Sequence, residues 1–164
     1  MQNLQQLRNL VPNSYLVDNK FKLTLSDEFI ASQIAILLNN NNNLSKYYNT
    51  HSIINSTIEY FVELSGSKVI GCVGLKKELK MDKIVHLSVD YSMRNTGIGN
   101  RLLNAAVLNS LKDTLYMSIR NDNVASINLA NKIGFSVIAY IPKQTYNIFT
   151  LCLFRRNDVR YRPY

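Results

Sequence analysis

The fold of this chain is decided by the run Val89-Asp90-Tyr91-Ser92-Met93-Arg94-Asn95-Thr96-Gly97-Ile98-Gly99-Asn100-Arg101-Leu102-Leu103. An apolar strand is predicted to end at Val89, a loop with two glycines follows, and a helix with periodic apolar residues begins directly after the loop. Such a loop predicts an anion-binding cradle, because free backbone N–H groups and the positive end of the helix dipole face the same point. Gly97 and Gly99 lack a Cβ atom, so a ligand can approach the backbone closely there.

The glycine spacing excludes two common nucleotide motifs. A dinucleotide-binding fingerprint requires Gly-x-Gly-x-x-Gly, and its third glycine position is Leu102 in this sequence. A nucleotide P-loop requires Gly-x-x-x-x-Gly-Lys followed by Ser or Thr, and the chain contains no such run. The pattern that remains is Arg-x-x-Gly-x-Gly, formed by Arg94, Gly97 and Gly99. An ordinary strand-to-helix turn remains the alternative to a phosphate site at this point.

The composition is that of one globular domain, which we predict to span residues 1–164. The chain has 164 residues, of which 46% are hydrophobic and 18% charged. No apolar run approaches the ~20 residues that cross a bilayer, and the N-terminus shows no signal-peptide pattern, so we expect a cytoplasmic protein without membrane contact. Cys72 and Cys152 lie in apolar runs and indicate buried thiols in a reducing compartment. The two histidines and two cysteines lack metal-ligand spacing, so no metal is expected.

The net charge is +8 at pH 7, which favours anionic partners such as nucleic acid, acidic proteins or a phosphate-bearing cofactor. Several cations crowd a C-terminal tail of residues 155–164, namely Arg155, Arg156, Arg160 and Arg162. We interpret this segment as a solvated tail, since no RNA- or DNA-binding motif accompanies the charge. Nucleic acid is therefore not the expected partner, and a basic nucleic-acid-associated protein is kept as an alternative function.

The apolar pattern predicts the order β-α-α-β-β-β-α-β-α-β-β, a mixed α/β sheet covered by helices. Strands are predicted at residues 21–25, 57–64, 69–75, 84–89, 115–119, 135–141 and 148–154. The first helix follows Ser26 as its N-cap and ends in the five asparagines at 39–43. A second helical segment is predicted around residues 44–54, a third after the glycine loop and a fourth at 126–132.

Two separated segments fall in the middle of this order. The first is Leu87-Ser88-Val89 followed by Arg94-Asn95-Thr96-Gly97-Ile98-Gly99, and the second is Asn123-Val124-Ala125-Ser126-Ile127-Asn128-Leu129-Ala130-Asn131-Lys132-Ile133-Gly134-Phe135. Together they resemble the acetyl-CoA pyrophosphate loop and the Asn-x-x-Ala/Ser-x-x-Leu-Tyr-x-x-x-Gly-Phe segment of the GNAT superfamily of N-acetyltransferases. The motif core covers residues 83–135, and the strand order extends the resemblance to residues 21–154. The fold that the resemblance implies is an α/β (α+β) domain with a mixed, mostly antiparallel sheet and helices on both faces.

The resemblance implies an acetyl-CoA-dependent N-acetyltransferase in which an acceptor amine attacks the thioester directly in a ternary complex. In the family, the strand that ends at Val89 here splays from the strand that ends near Ile119, and the pantetheine arm pairs with the exposed backbone. The implied cofactor-binding residues are Leu87, Ser88, Val89, Arg94, Asn95, Thr96, Gly97, Ile98, Gly99, Asn123 and Ser126. For Asn123, an N-cap of the following helix is the alternative interpretation, and the two roles are compatible.

The residues that would move protons depart from the family's pattern. The family's glutamate base position is Lys83 here, and its tyrosine acid position is Ala130. His86 is a candidate base, but strand alternation predicts it on the face opposite Lys83, and a histidine packed under a helix is the alternative. Tyr140 and Tyr146 on the closing strands are candidates to reach the thiol. We therefore expect catalysis mainly by positioning, with a water-relayed proton.

The acceptor is expected to be a small-molecule or peptide amine bound by the first helices and the hairpin near Gly66. The carboxylates that could attract a cationic amine are Asp27, Glu28, Glu59 and Glu63, although exposed carboxylates of a helix and a strand are the default interpretation. Because the usual glutamate and tyrosine are missing, a CoA-binding regulatory module without turnover is an alternative to the enzyme. A monomer and a homodimer are both left open.

Overall fold

The computed structural model describes residues 27–41 and 46–154. The elements are α1 (Asp27–Asn41), α2 (Thr50–Ile54), β1 (Ile58–Ser65), β2 (Lys68–Lys76), β3 (Asp82–Val89), α3 (Ile98–Asn109), β4 (Thr114–Arg120), α4 (Val124–Ile133), β5 (Ser136–Pro142) and β6 (Asn147–Phe154), with a 3₁₀ turn at Tyr91–Met93. The strand predicted at 21–25, its following cap Ser26 and the basic tail at 155–164 lie outside the described residues. No helix within the described ranges is long and apolar enough to cross a membrane.

The six strands form one sheet in the order β1-β2-β3-β4-β6-β5. Every neighbouring pair is antiparallel except β3 and β4. This parallel pair is joined by α3, as the crossover between parallel strands requires. The predicted mixed, mostly antiparallel sheet is confirmed.

Each face of the sheet has its own apolar core. On one face, α3 and α4 pack over residues such as Ile84, Leu103 and Phe135. On the other face, α1 and α2 cover one end of the sheet, with Ile34 and Tyr60 among the buried side chains. We call these the α3 face and the α1 face. Helices on both faces were predicted, and the structure confirms them.

The second helix is shorter than the sequence predicts. It spans only Thr50–Ile54, because Asn49 caps it by accepting a hydrogen bond from the N–H of Ser52 at 2.8 Å. Upstream, the side-chain amide of Asn39 bonds both backbone groups of Tyr48, at 2.7 and 3.0 Å. Side-chain bonds of this kind replace the helical bonds that residues 46–49 would otherwise make.

A β-bulge interrupts β3 at its centre. Gly74 pairs with Val85 and Cys72 pairs with Ser88, so one residue of β2 opposes two residues of β3. His86, the first of those two, has φ of 59°, in the left-handed region. Two residues against one is the defining count of a bulge, which re-aims the side chains that follow.

The bulge makes the predicted alternation of β3 wrong. Ile84 packs in the α3 core, so Lys83 and Val85 point to the α1 face. His86 points to the α1 face as well, since it bonds the hydroxyl of Tyr60, which belongs to the α1 core. His86 and Lys83 therefore share one face of the sheet.

Candidate functional site

β3 and β4 diverge towards their C-terminal ends and leave a wedge between them. The two strands pair only near their starts, Asp82 with Leu115, Lys83 with Tyr116 and Ile84 with Met117. Both strands continue well beyond that point, to Val89 and Arg120. The backbone of residues 87–89 therefore presents N–H and C=O groups on its β4 side to which no described strand pairs. Such an edge can accept an extended ligand as an added strand.

The loop after β3 is built on Asp90. Its carboxylate accepts hydrogen bonds from the N–H and the hydroxyl of Ser92, at 3.1 and 2.8 Å, and pairs with Lys68 at 2.6 Å. Asp90 also donates its own N–H to Ile70 on β2 at 2.8 Å. These contacts hold the Asp90 pKa low, at about 2, with the bond from Lys68 as the largest cause. Asp90 therefore fixes the point at which the loop leaves the sheet.

The remainder of the loop is a row of available backbone donors. The first backbone bond of α3 is donated by Arg101 to Gly97, at 3.1 Å, so the N–H groups of residues 98–100 have no intrahelical acceptor, as expected where a helix begins. Positive φ values at Asn95 and Gly97, of 64° and 85°, curve this segment, and consecutive amides in such a curve form an anion-binding nest. Residues 94–97 are exposed, so the nest is open to a ligand.

The two loop glycines serve different purposes. Gly97 supplies the left-handed conformation directly before α3. A Cβ atom at Gly99 would lie 3.1 Å from the Leu129 side chain, so this glycine allows α3 to pack closely on α4. The sequence interpretation of Gly99 as a point of ligand approach missed this packing role.

Two arginines flank the loop with different freedom. Arg101 is held by the carboxylate of Glu63, through Nε at 3.1 Å and through Nη2. The guanidinium of Arg94 lies 5.1 Å from the centre of the Tyr91 ring and pairs with no described carboxylate, so its charge is available to a phosphate.

Asn123 and Ser126 lie at the start of α4, across the wedge from β3. The Asn123 carbonyl oxygen accepts from the N–H of Ser126 at 3.2 Å, which confirms the N-cap interpretation. The amide nitrogen of Asn123 bonds no described group and remains a donor towards the wedge.

His86 lies between two tyrosines on the α1 face. Its Nδ1 atom is 2.6 Å from the Tyr60 hydroxyl and its Nε2 atom 3.0 Å from the Tyr48 hydroxyl. Tyr60 is only 2% exposed, and Nδ1 is the one described acceptor for its proton. Hydrogen-bond accounting therefore makes Tyr60 the donor to Nδ1, which leaves the ring proton on Nε2 to be donated to Tyr48.

The surroundings of His86 disfavour its charged form. Burial lowers the His86 pKa to about 4, and the positive charges of Lys46 and Lys83 add to the effect. Burial also raises the pKa values of Tyr60 and Tyr48. This group is neutral throughout at physiological pH.

A second polar group lies at the start of the β3–β4 pair. The Tyr116 hydroxyl donates to Glu78 at 2.8 Å, and Lys76 pairs with the same carboxylate at 2.8 Å. The Lys76 bond is the largest cause of a lowered Glu78 pKa. Lys83 lies over the ring of Tyr116, with Nζ 5.4 Å from its centre.

The other candidate residues take separate positions. Tyr146 packs on Arg120, 4.2 Å from ring centre to guanidinium, at the open end of the wedge. Tyr140 is 67% exposed on the edge strand β5. Ala130 is fully buried in the α3 core and offers no hydroxyl. The Ser88 side chain is buried at the bulge, and its hydroxyl finds no partner among the described residues.

Sequence reasoning missed Tyr48, Tyr60 and Lys46, which surround His86. The predicted helix at 44–54 concealed Tyr48, and no local signal links Tyr60 to a residue on another strand. In the described ranges, no three His, Cys, Asp or Glu side chains are arranged to hold a metal ion.

Comparisons with known proteins agree with this geometry. The sequence model of the acetyltransferase (GNAT) family matches residues 29–135, whereas no curated protein sequence matches the chain significantly. A putative acetyltransferase from Salmonella typhimurium, yncA, superposes with a TM-score of 0.71 at 15% identity, covering 83% of this chain and 94% of that one. Ard1 from Thermoplasma volcanium has a TM-score of 0.66 at 19% identity, with 80% and 94% covered.

A third similar structure is the ribosomal-protein-S18-alanine N-acetyltransferase from Escherichia coli. Its TM-score is 0.65 at 14% identity, with 81% of this chain and 93% of that chain covered. At these identities the structures establish a shared fold, while the family model covers more than half of the chain. The chain belongs to the acetyltransferase (GNAT) family and is an acyltransferase.

Proposed function

We propose that the protein transfers an acetyl group from acetyl-CoA to a primary amine. The observation that carries this proposal is the wedge between β3 and β4, whose unpaired backbone edge leads directly into the amide nest before α3. A long ligand with a pairing arm and a phosphate end fits that sequence of features. The similar structure from Salmonella typhimurium contains acetyl-CoA, as does a GNAT acetyltransferase from Elizabethkingia anophelis.

Different residues would bind different parts of acetyl-CoA. Backbone groups of Leu87, Ser88 and Val89 would pair with the pantetheine arm and orient the thioester carbonyl at the bulge. The pyrophosphate would lie on the nest, bound by Arg94, Asn95, Thr96, Gly97, Ile98 and Gly99. Asn123 would donate to the arm from the opposite side of the wedge, with Ser126 beside it.

The reaction needs a neutral amine, a positioned thioester and a proton for the leaving thiolate. The amine nitrogen bonds to the carbonyl carbon, the carbon–sulfur bond breaks, and the proton lost from nitrogen compensates the thiolate. Both ring nitrogens of His86 are occupied, and its pKa of about 4 makes it a weak base. We infer that positioning supplies most of the rate and that water relays the proton. Tyr146 at the open end of the wedge is the better placed of the two tyrosine candidates.

The acceptor is proposed to be a small-molecule or peptide amine. One similar structure is named for an alanine N-acetyltransferase, and another is the NatC complex bound to Gag peptide and CoA. The amine must enter from the α1 face, because the core under α3 and α4 fills the other side of the wedge. A cytoplasmic location belongs to the same proposal, supported by Cys72 and Cys152, which are buried free thiols.

Two measurements test the proposal. Calorimetry should show acetyl-CoA binding, and absence of binding would favour a basic nucleic-acid-associated protein instead. Thiol release with a panel of polyamines, amino acids, aminoglycosides and peptides then separates an enzyme from a CoA-binding module without turnover. Binding without thiol release from any amine would refute the transferase.

The pH profile of kcat/KM tests the inferred proton path. We expect it to follow the pKa of the acceptor amine, unchanged in His86→Ala. An ionisation near neutral pH that vanishes in that variant would establish a histidine base instead.

A further inference from the structure

Two lysines without an ion-pair partner among the described residues lie on the same face of the sheet as His86. The Nζ atom of Lys46 is 5.6 Å from the centre of the Tyr48 ring, and that of Lys83 is 5.4 Å from the centre of the Tyr116 ring. Neither lysine forms an ion pair with a carboxylate of the described residues. Each instead lies against an aromatic ring on the α1 face, and Lys83 lies at the paired start of β3 and β4, before the point where the wedge opens.

The candidate carboxylates are already engaged. Glu78 accepts from both Lys76 and Tyr116, each at 2.8 Å. Glu59 and Glu63 flank Phe61 of the α3 core and lie on the opposite face of the sheet, where Glu63 binds Arg101 and Glu59 pairs with Lys77 at 3.6 Å. The sequence-based expectation that Glu59 and Glu63 draw in a cationic amine therefore lacks support from their contacts.

The charge balance of this end of the site is positive. Three lysines, Lys46, Lys76 and Lys83, face a single carboxylate, that of Glu78. Together with burial, the charges of Lys46 and Lys83 lower the pKa of His86, which lies in the bulge. A second cation would be repelled there, whereas an anionic group would find donors without a competing carboxylate.

We propose that the acceptor amine also carries a carboxylate or phosphate group, and that Lys83, assisted by Lys46, binds this acidic group. The inference rests on the proposed transferase function and names the substrate class of the same site. By the family resemblance, Lys83 stands at the position of the glutamate base, so a residue that would remove a proton is replaced by one that would bind an anion.

The spacing along β3 limits the length of such an acceptor. Lys83 lies three residues before His86, the bulge residue on the same face. The Cα atoms of Lys83 and His86 are therefore roughly 10 Å apart at the usual strand rise. A lysine side chain can lean along the strand and shorten that span. The acidic group is therefore expected several bonds from the attacking nitrogen rather than adjacent to it.

Matched pairs of amines test the inference. Each pair differs by an acidic group several bonds from the amine: 4-aminobutyrate and butylamine, 6-aminohexanoate and hexylamine, glucosamine 6-phosphate and glucosamine. We expect the acidic member to have the higher kcat/KM, by about fivefold to tenfold for a partly exposed ion pair. The comparison of lengths and of carboxylate with phosphate identifies which acid the site accepts.

Lysine variants assign the effect to its residue. Lys83→Gln should raise KM for the acidic members about fivefold to tenfold, with little change in kcat, and leave the plain amines unaffected. Lys83→Glu should reverse the preference within each pair. Lys132→Gln removes the same charge from the exposed end of α4 and should change neither member.

The outcomes separate this inference from the proposed function. Thiol release that favours plain amines or diamines, with the same preference in Lys83→Gln, would overturn the acidic acceptor and leave the transferase intact. An equal loss in Lys83→Gln and Lys132→Gln would also overturn it, as an effect of net charge. Absence of turnover with every amine would refute the transferase and the inference together.

Discussion

Replacement of Gly97 by alanine should separate cofactor binding from stability. Gly97 has φ of 85° and Gly66, in the β1–β2 turn, has φ of 60°. A side chain in this region costs about 1 kcal/mol at either site. The new Cβ at Gly97 meets only the flexible end of Arg101 at 3.2 Å, and the Cβ at Gly66 meets nothing within 4 Å. Both variants should therefore lose similar stability, seen as a Tm lower by about 2–4 °C.

Acetyl-CoA affinity should respond only in Gly97→Ala. Alanine relieves its strain by moving φ, which turns the adjacent N–H groups of the nest away from the pyrophosphate. Loss of one charge-assisted hydrogen bond, worth about 1.5–3 kcal/mol, raises Kd about 10-fold to 100-fold. Calorimetry of both variants measures the difference, with Gly66→Ala as the matched control.

A truncated ligand makes this test decisive. Acetyl-pantetheine lacks the pyrophosphate, so its affinity should be the same for the native chain and for Gly97→Ala. Weakening of both ligands to the same degree would refute the assignment of the nest to the pyrophosphate. A Kd for acetyl-CoA within twofold of the native value would refute it as well.

Three further predictions concern the two sides of the wedge. The folded chain keeps His86 neutral down to a pKa of about 4, against 6.5 when unfolded, so the unfolded state binds the proton first. The free energy of unfolding should fall by about 3 kcal/mol between pH 6.5 and pH 4, and chemical denaturation of His86→Phe should not show this loss. The same dependence of the unfolding free energy on pH in that variant and in the native chain would contradict the prediction. Asn123→Ser keeps an N-cap acceptor for the N–H of Ser126 but removes the amide donor, so the Tm should be unchanged and the affinity for acetyl-CoA should fall. If Asn123→Ala lowers only the Tm, through a loss of about 1 kcal/mol, Asn123 is an N-cap alone. Asn39→Ala frees the backbone of Tyr48, which should raise the KM for the acceptor while leaving the Kd for acetyl-CoA unchanged; a change in that Kd instead would count against a role on the acceptor side.

Local patterns were sufficient to predict the structure of the two segments that the proposed function assigns to acetyl-CoA. The loop and its helix are contiguous in sequence, so glycine spacing and apolar periodicity describe them directly. The start of α4 is a second contiguous segment, and its capping residue Asn123 was correctly interpreted from its type and position.

The acceptor side depends on contacts that no local pattern contains. The Tyr60–His86 bond joins two strands separated by β2, and Tyr48 reaches the same ring from the segment before α2. The bulge at His86 was invisible as well, because nothing in its sequence marks a non-glycine residue for positive φ. One such residue re-aims the strand and invalidates an alternation argument made across it.

Under the proposed function, Lys83 bears on how the site would act without the base that the family resemblance implies. A glutamate at Lys83 would accept a proton and would stabilise a protonated amine beside it. A lysine there has the opposite effect: its charge adds to that of burial in lowering the pKa of His86, and in the proposed site it would lower the pKa of an amine bound near the bulge. A carboxylate bound by Lys83 and Lys46 would compensate one of their two charges, and the other would still favour the neutral, nucleophilic form of the amine. In the proposed site, a lysine at this position would therefore reduce the need for the base that it replaces.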